Sequence, residues 1–448
     1  MPSTIVTRTQ SGAESAAGRK TWTFSCWFKK DRGNGSGVNL FGADSNGADT
    51  NNYNIIDFNS DSLDFSGYES GSVFRLITNR KFRDTNAWYH LVIAFDTTQA
   101  TSSNRVKIYI NGVQETSFST ENYPAQDYQG KINAQNKNHH FGRSTSSFQW
   151  GGVLSHVHLT EGTAYAPTVF GSTDATTGEW KINTTPSVSY GTNGFFLFKD
   201  DNSVTNQAGN SSGNFTVSAG TLTKTEDNPS NIFATLNPLC VRNQIAGSAN
   251  LSYANGNTTH TNTNTSYSSY NVSTLGMQGS GKYYCEFKIN TLGGSSDSER
   301  FGISNLNNLN NYPFGSSSGY SYNKDGNATP SGSGFPTYTT NDIIGVAFDA
   351  GNGNMWFSKN GTWINSATIS EIAAGTTTNA VFTGISTSET WHFSGATYSN
   401  GSISANFGNG YFGTTAVASA GTNASNNGIF EYDVPSGYTA LSTKGLNT

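Results

Sequence analysis

The chain has 448 residues, enough for two domains of ordinary size, with a formal net charge of -5 and only 12% charged residues. That balance excludes a nucleic-acid partner held by a basic face, since displacing phosphate counterions takes clustered Lys and Arg and the longest such cluster is "NRKFR" (79–83). No run is apolar and long enough to span a bilayer, and "MPSTIVTRTQSG" lacks a basic and then apolar leader, so the expectation is a chain made in the cytoplasm without membrane insertion.

Disorder is excluded by 28 Phe, 21 Tyr and 8 Trp set among β-branched residues, while 50 Gly and abundant Asn, Ser and Thr mark many turns. Three cysteines, Cys26, Cys240 and Cys285, cannot form a disulfide framework. Cys26 and Cys285 alternate with aromatics in "TFSCWFK" and "KYYCEFK" and read as small buried hydrophobes.

In chain order, residues 1–20 read as an N-terminal arm whose "PSTIVTRTQ" is suited to pairing as an edge strand with a neighbouring subunit. Short alternating runs follow: "TWTFSCWFKK", "NNYNIIDFN", "VFRLITNRKF", "WYHLVIAFDT", "RVKIYINGV", "HHFGRS" and "GVLSHVHLTEG". They form a first domain over 21–202, closed by "YGTNGFFLFKD" (190–200). Residues 203–239 read as a Gly/Asn/Ser/Thr-rich connector with one short strand, "NFTVSAG". A second series over 240–448 includes "GKYYCEFKIN", "RFGIS", "GYSYNKDG", "DIIGVAFDAG", "NMWFSKNGTW", "SISANFG" and "IFEYDVPSGYTAL"; the best helical candidate, "ISEIAAG" (369–375), is short. The predicted fold class is all-β: two antiparallel β-sandwich domains of jelly-roll type joined by the connector.

One feature occurs twice. "WYHLVIAFDTTQATSSNRVKIYINGVQ" and "DIIGVAFDAGNGNMWFSKNGTW" both read as a buried strand ending in Phe-Asp, a turn, a second strand and Asn-Gly. Asp can accept backbone donors in the first turn, and Asn-Gly supplies the positive φ values of a tight reversal.

On these residues the first half resembles the laminin-G-like, concanavalin A-like jelly-roll family: "TFSCWFKK" (23–30), "WYHLVIAFDTT" (88–98), "VKIYINGV" (106–113) and "FGRS" (141–144), with "GGVLSHVHLTEGTAYAPTVF" (151–170) a looser match. The second half resembles a SPRY-type β-sandwich through "GKYYCEFKI" (281–289), "FGIS" (301–304), "DIIGVAFDAGNGNMWFSKNGTW" (342–363) and "ISANFG" (403–408). The phrases "NIFATLNPL" (231–239) and "FEYDVPSGYTALSTKGL" (430–446) are similar to structural proteins of tailed bacteriophages, especially marine ones. The resemblance implies a non-enzymatic virion protein on the particle exterior, a tail or capsid fibre or other appendage. It also implies other virion proteins as partners, a trimeric homo-oligomer and lectin-like attachment to a host glycan. A purely architectural capsid, neck or tail component is the alternative, and a glycan depolymerase a lesser one.

Chemistry is sought residue by residue. A retaining glycosidase on a jelly roll needs acids alternating along one strand; the nearest series, Asp57, Asp61 and Asp64, breaks that spacing and reads as turn acids. His139, His140, His156 and His158 lack Cys or Glu at familiar metal spacing. Asp44, Asn46 and Asp49 in "DSNGADTNN" (44–52) offer three oxygens toward a possible Ca2+, without the bidentate Glu such a loop usually ends on. No Gly-x-Ser-x-Gly elbow and no phosphate loop is present. Sugar recognition remains, by aromatic rings with amides beside them: Gln149 and Trp150 in "SSFQWGG", and Tyr312, Phe314, Tyr320 and Tyr322 in "NNYPFGSSSGYSYN". Trp22, Trp27, Trp88 and Trp356 lie inside alternating strands and are expected in cores.

Overall fold

The computed structural model describes residues 4–31, 36–46, 49–142, 150–240, 242–243, 251–263, 268–294, 299–307, 314 and 318–447. The chain divides into two units, Met1–Lys224 and Thr225–Thr448.

The first unit contains β1 (Ile5–Thr9), α1 (Ala16–Lys20), β2 (Thr21–Lys29), β3 (Ser36–Asp44), β4 (Asn52–Asn59), β5 (Ser62–Glu69), β6 (Ser72–Thr78) and β7 (Trp88–Asp96). Then come β8 (Val106–Ile110), β9 (Val113–Gln114), β10 (Phe118–Asn122), β11 (Asn138–Phe141), β12 (Val153–Glu161), β13 (Gly171–Thr173), β14 (Trp180–Ile182), β15 (Phe195–Leu197) and β16 (Thr216–Ala219). An eight-stranded sheet runs β10-β6-β5-β4-β3-β11-β1-β16, and a six-stranded sheet runs β15-β12-β2-β7-β8-β9. Their inner faces meet ring on ring: Phe24 stacks on Phe41 at 4.8 Å, and Trp22, itself stacked on its cross-strand neighbour Phe95 at 4.6 Å, meets Phe65 edge-on at 6.0 Å. The outer face of the six-stranded sheet is also closed, by the β13–β14 hairpin. Trp180 Nε1 donates to His90 Nδ1 at 2.9 Å, which leaves the imidazole proton on Nε2 to donate to Ser25 Oγ, and Trp27 stacks on the same ring. Burial pulls His90 down to about 3, so the ring is neutral.

Two sequence expectations are corrected here. The N-terminal segment is not a projecting arm: β1 lies inside the eight-stranded sheet, paired with both β11 and β16. The stretch 203–239 is not a separate connector either, because Phe215 enters the first core and Phe233 and Leu236 are buried in the second unit. Arg8 explains the first of these placements. Its guanidinium donates to Ser212 Oγ, Gln10 Oε1 and the Asn193 carbonyl, and lies over the rings of Phe195 and Phe215 at 5.2 and 4.8 Å. Burial pulls this cation down to about 10.

The second unit contains β17 (Arg242–Asn243), β18 (Leu251–Ala254), β19 (Thr259–Asn262), β20 (Ser268–Val272), β21 (Lys282–Thr291), β22 (Arg300–Ser304), β23 (Gly319–Asn323), β24 (Ala328–Thr329), β25 (Ile343–Asp349) and β26 (Asn354–Lys359). It continues with β27 (Thr362–Trp363), α2 (Ile369–Ala374), β28 (His392–Tyr398), β29 (Ser402–Asn406), β30 (Tyr411–Phe412), β31 (Thr415–Ala416), β32 (Thr439–Ala440) and α3 (Thr443–Leu446). One sheet runs β17-β20-β28-β22-β23-β24 and the other β18-β19-β29-β21-β25-β26-β27, with β32 added in parallel to β21. Phe287 and Phe301 stack between them at 5.0 Å. The helix expected at "ISEIAAG" is α2, started by a Thr368/Glu371 capping box and stopped by Gly375 at φ 73°. Cys26 and Cys285 are buried, and all three cysteines are free thiols.

The repeated feature is one structural device in two units. Asn111 and Gly112 have φ 49° and 80°, Asn360 and Gly361 have φ 49° and 79°, so both turns take the left-handed values expected of Asn-Gly. In each, the Asn backbone N–H donates to a residue of the preceding strand and its Oδ1 accepts from the same residue: His90 for Asn111, Ile343 for Asn360. Asp96 and Asp349 accept backbone donors in their turns, from Thr98 and Asn352. A methyl group on Gly112 would collide with the Trp180 ring, and one on Gly361 with the Tyr432 ring.

Glu286, fully buried on β21, fastens the C-terminal segment of the second unit. Its two oxygens accept from the N–H groups of Glu431 and Tyr432, both at 2.9 Å, and from Asn406 Nδ2 and the Tyr284 hydroxyl. Burial pushes this carboxyl up to about 7, against the hydrogen bonds, which pull it down.

Two tests follow from these contacts. Asn360→Ala is expected to cost about 1–3 kcal/mol of unfolding free energy in urea; Asn360→Gly keeps the turn conformation and loses less, which separates φ from the hydrogen bond. Glu286→Gln turns one acceptor into a donor facing donors. The folded carboxyl keeps its proton to higher pH than the unfolded one, so its stabilising contribution is full below about 4.5 and declines as pH rises through about 7. The stability gap between wild type and Glu286→Gln, read from urea curves across pH, should narrow over that window.

Candidate functional site

The aromatics expected to contact sugar do not form a site. Trp150 is 7% exposed and sits in the first core, 5.9 Å from Phe58 and edge-on to Phe28. Phe314 is buried against Tyr270, and Tyr322 is fully buried with its hydroxyl on the Pro336 carbonyl. Tyr320 is half-buried, its ring against Phe382 and Trp391. Trp150, Phe314 and Tyr322 are corrected to packing residues because their rings are buried, and Tyr320 spends its ring contacts on Phe382 and Trp391. Gln149 and Tyr312 lie outside the described residues.

The calcium reading is corrected too. Asp44 Oδ1 accepts from the Asn46 N–H and Asp49 Oδ1 from the Asn51 N–H, so both acids cap turns; Asp44 is buried while Asn46 is exposed. Among the described residues no three His, Cys, Asp or Glu side chains converge as metal ligands. The four histidines serve separate contacts. His139 accepts from the Asn133 N–H, His140 lies on the opposite face of β11, His156 bonds Ser155 and His158 bonds the Tyr190 hydroxyl while stacked on Phe196.

What the fold does assemble is a stripe on the outer face of the eight-stranded sheet. A tight turn at Ser60 and Asp61, φ 48° and 67°, folds β4 onto β5 so that Asp57 faces Asp64 and Tyr53 faces Tyr68. Inward residues Ile56, Phe58, Leu63 and Phe65 fill the core, which leaves Tyr53, Asp57, Asp64 and Tyr68 outward by strand alternation. The two tyrosine rings stack at 5.6 Å with 10° between planes, and both are half-buried. From β6, Arg75 reaches Asp64 with Nε at 3.0 Å and Nη2 at 2.5 Å from Oδ2. That ion pair raises the guanidinium above its usual range, and the arginine remains 42% exposed while Asp64 is 3%. Toward β3 and β11 the stripe is buried: Asn39 lies opposite Asp57, and the His140 ring covers Gly42 with Nδ1 on the Gly142 carbonyl at 2.8 Å and Nε2 3.4 Å from Asp44.

Chemically, the stripe offers a paired aromatic platform beside a charged fork and hydroxyl-bearing Ser66, a set suited to the mixed apolar and hydroxyl surface of a sugar ring. Asp57 and Asp64, expected as turn acids because spacing along one strand did not fit, are instead paired strand residues; across a hairpin, acids equidistant from the turn are neighbours.

Solved structures similar to parts of the chain include the SPRY domain of human HERC1 (16% identity, 38% of this chain and 96% of that one, TM-score 0.30). They also include a putative carbohydrate binding protein from Bacteroides ovatus (13% identity, 50% and 61%, TM-score 0.30). A third is domain 4 of AbnA, a GH43 extracellular arabinanase from Geobacillus stearothermophilus, in complex with arabinotriose (22% identity, 33% and 63%, TM-score 0.24). No curated protein matches the chain. Residues 7–169, which include the whole β4–β5 hairpin and β6, match the laminin G family model described as the Concanavalin A-like lectin/glucanases superfamily.

Proposed function

We propose that the protein is a non-enzymatic surface-attachment protein whose first unit recognises a glycan through the Tyr53–Tyr68 platform and Arg75. We further propose that the whole chain is a virion structural protein of a tailed phage, displayed as a homo-oligomeric fibre or appendage. The observation that carries the glycan reading is the stacked tyrosine pair beside the Arg75–Asp64 pair on the outward face of a lectin-type sheet. A non-catalytic role is supported by the same contact. Asp57 and Asp64 face each other across the hairpin, but Asp64 is engaged on both oxygens by Arg75, whereas a glycosidase acid must be able to donate a proton to the leaving group. The virion reading is supported by the low-charge surface and by the resemblance of the "NIFATLNPL" and "FEYDVPSGYTALSTKGL" segments to phage structural proteins.

Glycan-array binding of the full chain should fall about tenfold in Tyr53→Ala and Tyr68→Ala, as expected for losing one ring contact of about 1–1.5 kcal/mol. Trp150→Ala should instead lower stability by about 3–5 kcal/mol, as a core ring does. Binding untouched by the tyrosine variants overturns the site; no glycan binding at all favours a purely architectural role, and release of reducing ends from polysaccharide favours a depolymerase. Mass spectrometry of purified phage particles that carry the gene should find this chain, and its absence there rejects the virion assignment.

A further inference from the structure

The six-stranded sheet of the first unit carries imidazoles on the face turned away from the core. Phe24, Cys26 and Phe28 of β2 and Leu91, Ile93 and Phe95 of β7 point inward, so Ser25, Trp27 and His90 point outward, with His158 of β12 opposite Ser25. Residues 163–190 lie over them. Phe170 touches both imidazoles, the Trp180 ring stands 6.0 Å from His90, and the Tyr190 ring stands 6.1 Å from His158. Each imidazole is 1% exposed.

This segment is fastened to the sheet at its start and through the two histidines. Thr23 Oγ1 donates to the Thr163 carbonyl and accepts from the Tyr165 N–H. Further along, Trp180 Nε1 donates to His90 Nδ1 at 2.9 Å, and the Tyr190 hydroxyl bonds His158 Nδ1 at 2.8 Å. The segment is also braced within itself: Asn183 donates to the Phe170 and Val169 carbonyls, Lys181 pairs with Asp174, and the Ser189 N–H donates to the Tyr165 hydroxyl. Gly162 and Gly191, with φ of 86° and 62°, flank it. It can therefore leave the sheet as one piece while the aromatic core on the opposite face stays closed.

An indole N–H can only donate, and an imidazolium has two donors and no acceptor. A proton added to His90 lands on Nδ1 and faces the Trp180 N–H, while Nε2–H still faces Ser25. Trp27, stacked on the ring at 4.9 Å, favours a cation there, but among the described residues no carboxylate pulls on either His90 or His158. His90 is surrounded by Ser25, Trp27, Asn111, Phe170 and Trp180. Around His158 stand Phe170, Tyr190 and Phe196, with His90 and His156 repelling a second positive charge. The charged groups nearby act elsewhere: Lys199 and Asp200 on His156, Asp174 and Lys181 on each other, and Glu161 on the Ser15 hydroxyl and Asn193 N–H; Glu179 is exposed.

We propose that residues 163–190 form an acid-released cover, lifted from the outer face of the sheet when His90 and His158 take up protons. Burial holds His90 down at about 3 and His158 well below the ordinary 6.5, so the closed state is fully favoured above about 6.5 and loses ground as pH falls below it. The device is independent of the glycan platform, which stands on the other sheet.

Amide hydrogen exchange of the full chain, followed by mass spectrometry from pH 7.5 to 5 and corrected for the intrinsic pH dependence of exchange, tests it. With two protons taken up per opening, the opening constant of peptides from 163–190 should rise by up to about a thousandfold between pH 6.5 and 5, while β2 and β7 stay protected. His90→Asn keeps an oxygen to accept from Trp180 but cannot be protonated; it should keep the wild-type urea midpoint at pH 7.5 and show half the slope, about thirtyfold over the same span. Trp180→Phe removes the donor and should raise exchange in 163–190 already at pH 7.5. Exchange in 163–190 that ignores pH, core strands losing protection in step with it, a slope unchanged in His90→Asn, or wild-type exchange in Trp180→Phe overturns the proposal. Should His90→Asn not fold, the wild-type slope and Trp180→Phe decide it.

Discussion

Every main-chain N–H and C=O buried at a strand end must find a hydrogen-bond partner, and this chain meets that constraint largely with asparagine. The amide of Asn is a peptide group on a short tether, so it extends a ladder by one rung where the backbone itself turns away. Asn111 and Asn360 do this at their turns. Asn406 accepts from the N–H groups of Gly408 and Gly410 while donating to Glu286 and the Ile429 carbonyl, and Asn206 accepts from Phe196 and Ala208. A neutral amide does this without the desolvation penalty of a buried carboxylate or ammonium. The scarcity of charge in the sequence is thus a property of how the interior is completed, as well as of the surface.

The same constraint accounts for the device shared by both units. A left-handed Asn-Gly turn removes two residues from the regular ladder, the Asn side chain restores the lost contact, and the bare glycine leaves room for a ring, Trp180 in one unit and Tyr432 in the other. Each ring arrives from a segment later in the chain, so a local turn becomes an anchor for a distant one. Strand geometry and the glycine's open face are sufficient to produce this twice, and common ancestry of the two units is not required for it.

Legibility followed the range of the interactions. Alternation in "TFSCWFKK" and "KYYCEFK" placed Cys26 and Cys285 inward, and the Asn-Gly turns and the short helix at "ISEIAAG" were readable because each is decided within a few residues. The role of residues 1–20 and 203–224 was not, because it depends on contacts such as Arg8 with Ser212, across most of a domain. Trp150 misled for a related reason: its Ser/Gly-rich surroundings look like a loop, yet the ring turns back into the core against Phe58. The Tyr53–Tyr68 pair was hidden because the turn that makes them neighbours is built on Ser60 and Asp61 rather than on glycine.

The proposed glycan face carries a thermodynamic consequence. It offers a few contacts, a ring pair with one exposed arginine, and each such contact is worth on the order of 1 kcal/mol in water. A site of that size binds a single sugar at about millimolar concentration, too weakly for the proposed attachment to rest on one copy. Useful attachment then depends on repetition: several copies of the chain engaging a repeating polysaccharide convert weak contacts into an effective concentration problem, and overall avidity can rise by about two to four orders of magnitude without any new contact. A protein built this way gains nothing from a deep, costly single pocket. Under the proposed attachment role, rigid, amide-braced sandwiches with shallow outer faces suit multivalent display.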